Sequence, residues 1–245
     1  MRLSMCRKMK EKTLKLSPRL QCIADHVKPG ALLADVGTDH GYLPVWLLQN
    51  RRITRAIASD IKEGPLSRAR SIALSHGLAD QISFRLCDGL SGIEPGEADT
   101  VVIAGMGGEV IDRIIKGADW LRSEEVTLLL QPMTKAEVLR RSLSENGFRI
   151  KREKLVRDRG TIYAVIEAAP GKSVALTSAE VWCGVNLMQD ALYGEYAMDR
   201  ISKLETAVEG MRRGSAPNDK LIRTLEEDAL ALREKIKEWE HANGR

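Results

Sequence analysis

The first 170 residues alternate short apolar runs with stretches in which apolar residues recur every three or four positions. The apolar runs have the length and bulk of buried strands. They cover 31–36, 54–60, 82–87, 99–104 and 126–130. The periodic stretches predict helices, and the first begins at Ser17-Pro18, where serine caps and proline takes the first helical position. Strands and helices that alternate in this way predict a mostly parallel α/β sheet.

The sequence after residue 147 departs from this alternation. Two strand-like runs, 148–156 and 161–168, flank Arg157-Asp158-Arg159-Gly160, and a four-residue connection with glycine predicts an antiparallel hairpin. The predicted sheet therefore has seven strands. After Pro170-Gly171, apolar residues at helical spacing on both sides of 214–217 predict two long helices in an antiparallel, coiled-coil-like hairpin. The pattern leaves open whether this hairpin grips RNA, dimerises or covers a sheet edge.

These patterns predict three parts: a basic N-terminal extension (1–16), an α/β domain (17–169) and a helical domain (170–245). The chain has 245 residues and is 43% hydrophobic, and no apolar run approaches the ~20 residues of a membrane span. The N-terminus lacks the apolar segment of a secretory signal. The four cysteines have neither paired spacing nor histidine partners, so we expect reduced thiols, no metal site and a cytoplasmic protein.

Basic residues concentrate in two segments, 2–19 and 149–159, although the net charge is only +4. Such clusters indicate a polyanionic partner, with RNA as the first candidate. Solvated surface is the alternative interpretation. The candidate RNA contacts in the first segment are Arg7, Lys8, Lys10, Lys12 and Arg19.

The loop after the first strand, Asp35-Val-Gly-Thr-Asp-His-Gly41, carries the most informative chemistry. Glycine permits a tight turn and the close approach of a ligand. In the dinucleotide-binding pattern a middle glycine stands where this chain has Asp39. Two carboxylates would repel a pyrophosphate and suit a cationic ligand such as S-adenosylmethionine (SAM), which has a sulfonium and an amine. The alternative is a loop whose aspartates only cap backbone N–H groups.

Acidic residues or glycines also follow the next three strands. Asp60 lies about 20 residues beyond the glycine turn, where an acid can bind ribose hydroxyls or cap the next helix. Asp88-Gly89 can contact an adenine edge or form a simple turn. Gly105-Met-Gly-Gly108 predicts close backbone approach. After the fifth strand, Gln131-Pro132 precedes Thr134 and Glu137, which have the spacing of a helix capping box.

These motifs and the helical tail, taken in order, resemble the bacterial tRNA adenine-N1 methyltransferase family that acts on adenine 22 (the TrmK family). The resemblance covers residues 17–168, and Gly105-Met-Gly-Gly108 is its most specific motif. It implies a Rossmann-like, seven-stranded class I methyltransferase sheet that uses SAM to methylate N1 of an adenine in tRNA. The basic extension before Ser17 departs from a minimal member of the family.

The resemblance also implies roles for individual residues. Those expected at the methionine end of SAM are Asp35, Gly37, Thr38, Asp39, His40 and Gly41. Those expected at its ribose and adenine are Asp60, Ile61, Asp88 and Gly89. Gly105, Met106 and Gly107 are also expected to bind SAM, and the segment Gly105 to Gly108 is expected to border the opening where the target base enters. The basic N-terminal cluster and the helical tail are expected to contact tRNA.

The implied reaction bears on the roles of four side chains. Asp39 would stabilise the positive charge of the methylated base or accept its proton, or would only orient SAM. His40 would contact either ligand or have a structural role. Tyr42 and Trp46 are expected to pack their helix rather than to stack a base.

Two other functions remain open at this point. One is a SAM-dependent methyltransferase with another substrate, and the other is a non-catalytic SAM-binding or RNA-binding module. A nicotinamide dehydrogenase is disfavoured, because Asp39 replaces the middle glycine of that motif. The sequence leaves open whether the protein is a monomer or a weak dimer.

Overall fold

The computed structural model describes residues 14–172, 174–214 and 218–244. Most of the predicted basic extension lies outside these ranges. The predicted RNA contacts Arg7, Lys8, Lys10 and Lys12 also lie outside the described residues.

The described residues form seven strands and eight α-helices. The strands are β1 (Leu33–Val36), β2 (Ala56–Asp60), β3 (Ile82–Leu86), β4 (Thr100–Gly107), β5 (Thr127–Thr134), β6 (Phe148–Asp158) and β7 (Thr161–Pro170). The helices are α1 (Pro18–His26), α2 (Tyr42–Gln49), α3 (Glu63–Ser75), α4 (Gly108–Lys116), α5 (Ala136–Glu145), α6 (Ser178–Cys183), α7 (Tyr193–Arg213) and α8 (Asp219–Ala242).

All seven strands join one sheet in the order β3-β2-β1-β4-β5-β7-β6. The first five pair in parallel, whereas β7 is antiparallel to both β5 and β6. The predicted α/β class, seven strands and closing hairpin are therefore confirmed. Because β2 lies on one side of β1 and β4 on the other, the connections diverge there, and a crevice opens at the carboxyl ends of the strands.

The sheet is covered by helices on both faces, since successive strand residues point to opposite sides. Leu33 of β1 joins a cluster with apolar residues of α1, α2 and α3. Its neighbour Ala34 joins the other cluster, together with apolar residues of α4, α5, α7 and α8. Helix α1 begins as predicted, with the Ser17 hydroxyl accepting a hydrogen bond from the Leu20 backbone N–H and Pro18 in the first turn.

Four strands extend beyond their predicted ends. β6 continues to Asp158 and β7 to Pro170, so Arg159 and Gly160 connect them instead of the predicted four residues. β4 continues to Gly107 and β5 to Thr134, and their pairing shifts register after Ala104. The predicted capping box at Thr134 is wrong, because this residue is still in the strand. Lys135 precedes α5 instead, with a left-handed φ of 54° and no side-chain cap.

Helices α7 and α8 form the predicted antiparallel hairpin. Arg212 is ion-paired with Glu226 near one end, and the rings of Tyr193 and Trp239 lie 6.2 Å apart near the other. The hairpin shares its apolar cluster with the sheet, since Ile201 belongs to the same cluster as the strand residues. Within the ranges that the structure describes, no helix is long and apolar enough to cross a bilayer.

A buried ion pair connects helices α5 and α6 to the sheet. Arg140 of α5 and Glu153 of β6 have fully buried side chains whose charged atoms lie 2.9 Å apart. Arg140 also donates hydrogen bonds to the backbone carbonyls of Val181 and Trp182, at the end of α6. Buried charges are tolerated only where hydrogen bonds satisfy them, and the bonds of this guanidinium reach three elements. Arg140 thus connects α5, β6 and α6.

Candidate functional site

A cavity of about 500 Å³ lies at the carboxyl ends of the central strands. Its walls come from the loop after β1, the ends of β2 and β3, the end of β4, and one side each of α1, α2 and α4. This is the crevice predicted by the strand order, and its size suits a small molecule. The predicted cofactor residues that line it are Asp35, Gly37, Thr38, Asp39, His40, Asp60, Ile61, Asp88, Gly89, Gly105 and Met106.

Two predicted cofactor residues, Gly41 and Gly107, do not line the cavity. Gly41 has a φ of 67°, and a Cβ there would lie 2.9 Å from the Cβ of Ala69. It therefore lets α2 approach α3. A Cβ on Gly107 would lie 3.3 Å from the Thr134 hydroxyl oxygen, so this glycine allows β4 to pack closely on β5.

The other glycines of the two loops are required for different reasons. Gly37 has a φ of 71°, and a Cβ there would overlap the terminal methyl group of Met106. Met106 thus reaches from β4 across the loop that follows β1. Gly105 has a φ of 78° with open space around it, whereas a Cβ on Gly108 would overlap the backbone carbonyl oxygen of Lys135. Gly108 therefore allows α4 to begin against the start of α5.

Asp35 is a buried carboxylic acid in the cavity wall. The Thr38 hydroxyl donates a 2.6 Å hydrogen bond to one of its oxygens. Burial raises the pKa of Asp35 to about 6; the Thr38 hydrogen bond opposes this shift, and the negative charge of Asp60 adds to it. A cationic ligand in the cavity would favour the ionised form and lower this pKa.

Asp39 is exposed and already has partners. Its backbone is left-handed, with a φ of 51°. One carboxylate oxygen lies 3.2 Å from Arg68, and the other lies 3.6 Å from the Nε2 atom of His40. Because the positive charge of Arg68 partly balances the carboxylate of Asp39, Asp39 is a weaker candidate for a proton acceptor than its position in the loop suggested.

Asp60 combines the two roles that the sequence left open. It lines the cavity, and its side chain accepts a 2.9 Å hydrogen bond from the backbone N–H of Lys62, just before α3. Asp88 and Gly89 lie at the same end of the cavity. Gly89 also lets the loop approach α4, since a Cβ there would lie 3.1 Å from side-chain atoms of Ile114.

Arg19, predicted to bind RNA, is fixed at the cavity wall. Its Nε donates to Asp158 at 2.9 Å, and its Nη1 donates to the side-chain oxygen of Gln131 at 2.6 Å. Its guanidinium also lies over the ring of Tyr163, 5.3 Å from the centroid. The same Gln131 oxygen accepts a 3.2 Å hydrogen bond from the Gly105 backbone N–H. The network therefore joins α1 to the turn at the end of β4.

Gln131 was part of a sequence motif but was assigned no role. A polar residue at the end of an apolar, strand-like run was a signal that could have identified it, and its side chain is buried. It did not identify the lining residues that helices contribute. These are Leu20 of α1, Tyr42 and Leu43 of α2, and Val110, Arg113 and Ile114 of α4. The expectation for Trp46 is met, since it packs on the apolar cluster. Tyr42 instead lines the cavity and stacks on the ring of His40, and it belongs to neither apolar cluster.

Half of the six bases in the second basic segment, 149–159, are paired with nearby acids. Arg152 pairs with Glu167, Lys154 with Asp190 and Arg157 with Glu195. Three further bases, Arg149, Lys151 and Arg159, form no ion pair within the described residues. In the same ranges, no group of three or more His, Cys, Asp or Glu side chains is arranged to hold a metal ion.

Comparisons with known proteins agree with this geometry. The family model of a methyltransferase domain matches residues 16–166. A tRNA (adenine(22)-N(1))-methyltransferase of Bacillus subtilis is 38% identical over 184 residues, which are 75% of each chain. The crystal structure of the B. subtilis m1A22 tRNA methyltransferase TrmK superposes with a TM-score of 0.79 at 32% identity, covering 92% of this chain and 99% of that one.

A second solved structure is that of Mycoplasma capricolum TrmK in complex with S-adenosyl-homocysteine, described as the natural cofactor product. It superposes with a TM-score of 0.75 at 28% identity and covers 91% of this chain and 98% of that one. These similarities extend through the C-terminal helices as well as the sheet. The chain therefore belongs to the TrmK family of bacterial tRNA (adenine-22 N1)-methyltransferases, which has the class I methyltransferase fold.

Proposed function

We propose that this protein is a SAM-dependent methyltransferase that methylates N1 of adenine 22 in tRNA, and that it acts in the cytoplasm. The observation that carries the proposal is the acidic cavity at the strand ends. Four carboxyl groups line it, from Asp35, Asp39, Asp60 and Asp88. Such a wall disfavours a pyrophosphate and suits a ligand with a sulfonium, an amine and a ribose.

The cavity also has two buried polar side chains whose interactions a ligand would complete. The Ser59 hydroxyl is buried and lacks a hydrogen-bond partner within the described residues. Asp35 has no cationic partner in the part of the chain that the structure describes, and its burial raises its pKa to about 6. Buried polar atoms in native proteins normally have partners, so these two groups fit a polar, cationic cofactor.

We assign the ends of SAM by the strand order. The loop after β1, with Asp35, Thr38 and Asp39, would hold the amino-acid end. Asp60 would bind the ribose hydroxyls, Ile61 would cover one face of the adenine, and Asp88 would accept a hydrogen bond from its exocyclic amine. Gly41 and Gly107 would not contact SAM. They would allow the close packing of helices and strands that shapes the cavity wall.

The chemistry asks little acid–base help of the protein. SAM, when bound, supplies an electrophilic methyl group on a positively charged sulfur. Gly105 and Met106, near the end of β4, would border the path along which N1 of adenine attacks that methyl in line, forming a C–N bond as the C–S bond breaks. Asp39 and His40 would lie near the adenine as it gains positive charge. Positioning would be the main contribution of the enzyme.

Methyl transfer to defined tRNA transcripts tests the proposal. We expect the purified protein to methylate a transcript with adenine at position 22 and not one with guanine there. Asp35→Ala should abolish transfer, whereas Asp119→Ala, which changes a fully exposed carboxylate outside the cavity, should not. Transfer to a different nucleotide, to a small molecule only, or to no acceptor would overturn the assignment.

A further inference from the structure

His40 and Tyr42 form a stacked pair of rings in the cavity wall. Their centroids are 5.2 Å apart and their planes differ by 10°. Both residues line the cavity, and Tyr42 is 38% exposed although it begins an otherwise buried helix.

Packing does not explain why Tyr42 is placed there. The next residues of α2, among them Leu43, Val45 and Leu47, are buried and anchor the helix to the sheet. The Tyr42 hydroxyl makes no hydrogen bond within the described part of the chain. The ring therefore contributes an apolar face to the cavity rather than to the core.

The proposed reaction requires two adenines to enter this cavity. The strand order separates two ends, because β2 and β3 lie on one side of β1, and β4 lies on the other. Ile61, Asp88 and Gly89 belong to the first side, where we place the nucleoside of SAM. His40 and Tyr42 follow β1 itself, beside the loop that would hold the amino-acid end and hence close to the transferable methyl.

We propose that the His40–Tyr42 pair is the platform on which the target adenine stacks after it leaves the tRNA helix. This inference rests on the proposed function and names the part of the site that receives the base. An extruded base loses its stacking neighbours, and enzymes that act on flipped bases replace them with aromatic side chains. Base–aromatic stacking changes affinity by about 5- to 150-fold when the ring is removed.

The ring also fits the change in charge during the reaction. Adenine gains positive charge as N1 takes the methyl group, and the face of an aromatic ring attracts a cation. Asp39, 3.6 Å from His40, adds a carboxylate beside the same stack. The platform would therefore favour the transition state over the neutral bound base, and its loss would lower kcat as well as raise KM for tRNA.

Three variants test this role: Tyr42→Leu, Tyr42→Phe and, as a control, Trp46→Leu. The control removes an aromatic ring from the same helix at a position that packs on the core and does not line the cavity. We expect Tyr42→Leu to lower kcat/KM for tRNA by about 5- to 150-fold. Tyr42→Phe should recover most of that loss, and all three proteins should bind SAM within about threefold of the wild type. Trp46→Leu should lower the melting temperature but not kcat/KM for tRNA at a temperature where it is folded.

Two results would overturn the platform. One is that Tyr42→Leu matches Tyr42→Phe in kcat/KM for tRNA. The other is that Tyr42→Leu loses affinity for SAM by the same factor as it loses kcat/KM, which would make Tyr42 a cofactor residue. Methylation of tRNA by the wild type tests the proposed function separately, so failure of the platform leaves that result standing.

Discussion

The Thr38 hydroxyl donates its hydrogen bond to the buried carboxyl group of Asp35 across a single turn, with an O–O distance of 2.6 Å. This bond only partly offsets the cost of burial, since the pKa of Asp35 is still raised to about 6. In the proposed site the positive charge of SAM would supply the remaining stabilisation. Binding of SAM near pH 6 would therefore release a proton from Asp35.

The first prediction is that affinity for SAM depends on pH through Asp35. The ionised carboxylate is the form that attracts a cation, so the Kd for SAM should be lowest above pH 6. Below the pKa of about 6, the Kd should rise by about tenfold per pH unit. Calorimetric titrations from pH 5 to pH 8 would measure this dependence.

The matched variant for this prediction is Asp35→Asn, which keeps the size of the side chain and removes its charge. It should bind SAM weakly at every pH, without the inflection. Asp35 also makes the free energy of unfolding depend on pH. Since its pKa is about 6 when folded and 3.8 by ordinary reference, the native state binds more protons in between, and the free energy of unfolding should fall as pH rises through that window. An inflection that persists in Asp35→Asn would assign the pH dependence to another group.

A second prediction concerns Gly37 and Met106. Gly37→Ala should weaken SAM binding by about 5- to 30-fold, because a left-handed φ costs an L-residue about 1–2 kcal/mol and the new methyl group displaces the end of the Met106 side chain. The double variant Gly37→Ala/Met106→Ala removes the overlap but keeps the backbone strain. It should recover only part of the affinity, as measured by calorimetry. Full recovery would show that the conformation of the turn is unimportant.

A third prediction contrasts two helical glycines. Gly108→Ala should lower the free energy of unfolding by more than about 2 kcal/mol, because the added methyl overlaps backbone rather than a side chain that could rotate away. Gly210→Ala, with open space in the middle of α7, should instead raise it by about 0.5–1 kcal/mol. Urea unfolding monitored by circular dichroism measures both. Equal effects of the two substitutions would contradict the close approach at Lys135.

A fourth prediction concerns the ion pair between Arg140 and Glu153. Glu153→Gln leaves a buried guanidinium without its counter-charge and should cost about 3–5 kcal/mol of stability. Glu209→Gln breaks an exposed pair with Arg213 on α7 and should change stability by less than about 1 kcal/mol. Urea unfolding of both variants would measure these changes in the free energy of unfolding. Similar losses in the two variants would mean that burial does not decide the energetics of these pairs.

The sheet could be predicted because its parallel strands are buried on both faces and therefore read as continuous apolar runs. The ends of β4 and β5 could not, because β4 continues through Gly105 and Gly107, residues that locally favour a turn. Pairing between the two strands overrides that preference, with shifts of register. The same extension of β5 removed Thr134 from the capping position that its spacing with Glu137 suggested.

The candidate site was predictable where it follows strands and hidden where helices complete it. Asp35, Asp60 and Asp88 stand directly at or after strand ends, so the fold alone brings them together. Arg19 and Tyr42 reach the cavity only through the way α1 and α2 pack, and neither is marked by a motif. The spacing of glycines likewise does not reveal that Gly41 and Gly108 serve packing between elements.

The guanidinium of Arg140, enclosed by a strand and two helices, has a practical consequence for protein engineering. A chimera that exchanged C-terminal hairpins between relatives at Pro170 would separate this arginine from the carbonyls that satisfy it. The exchange point should instead lie beyond α6, so that donor and recipient keep the hydrogen-bonding groups of one parent. Truncation of the chain beyond α6 would expose the apolar face that Ile201 and Trp239 cover, and the shortened protein should aggregate.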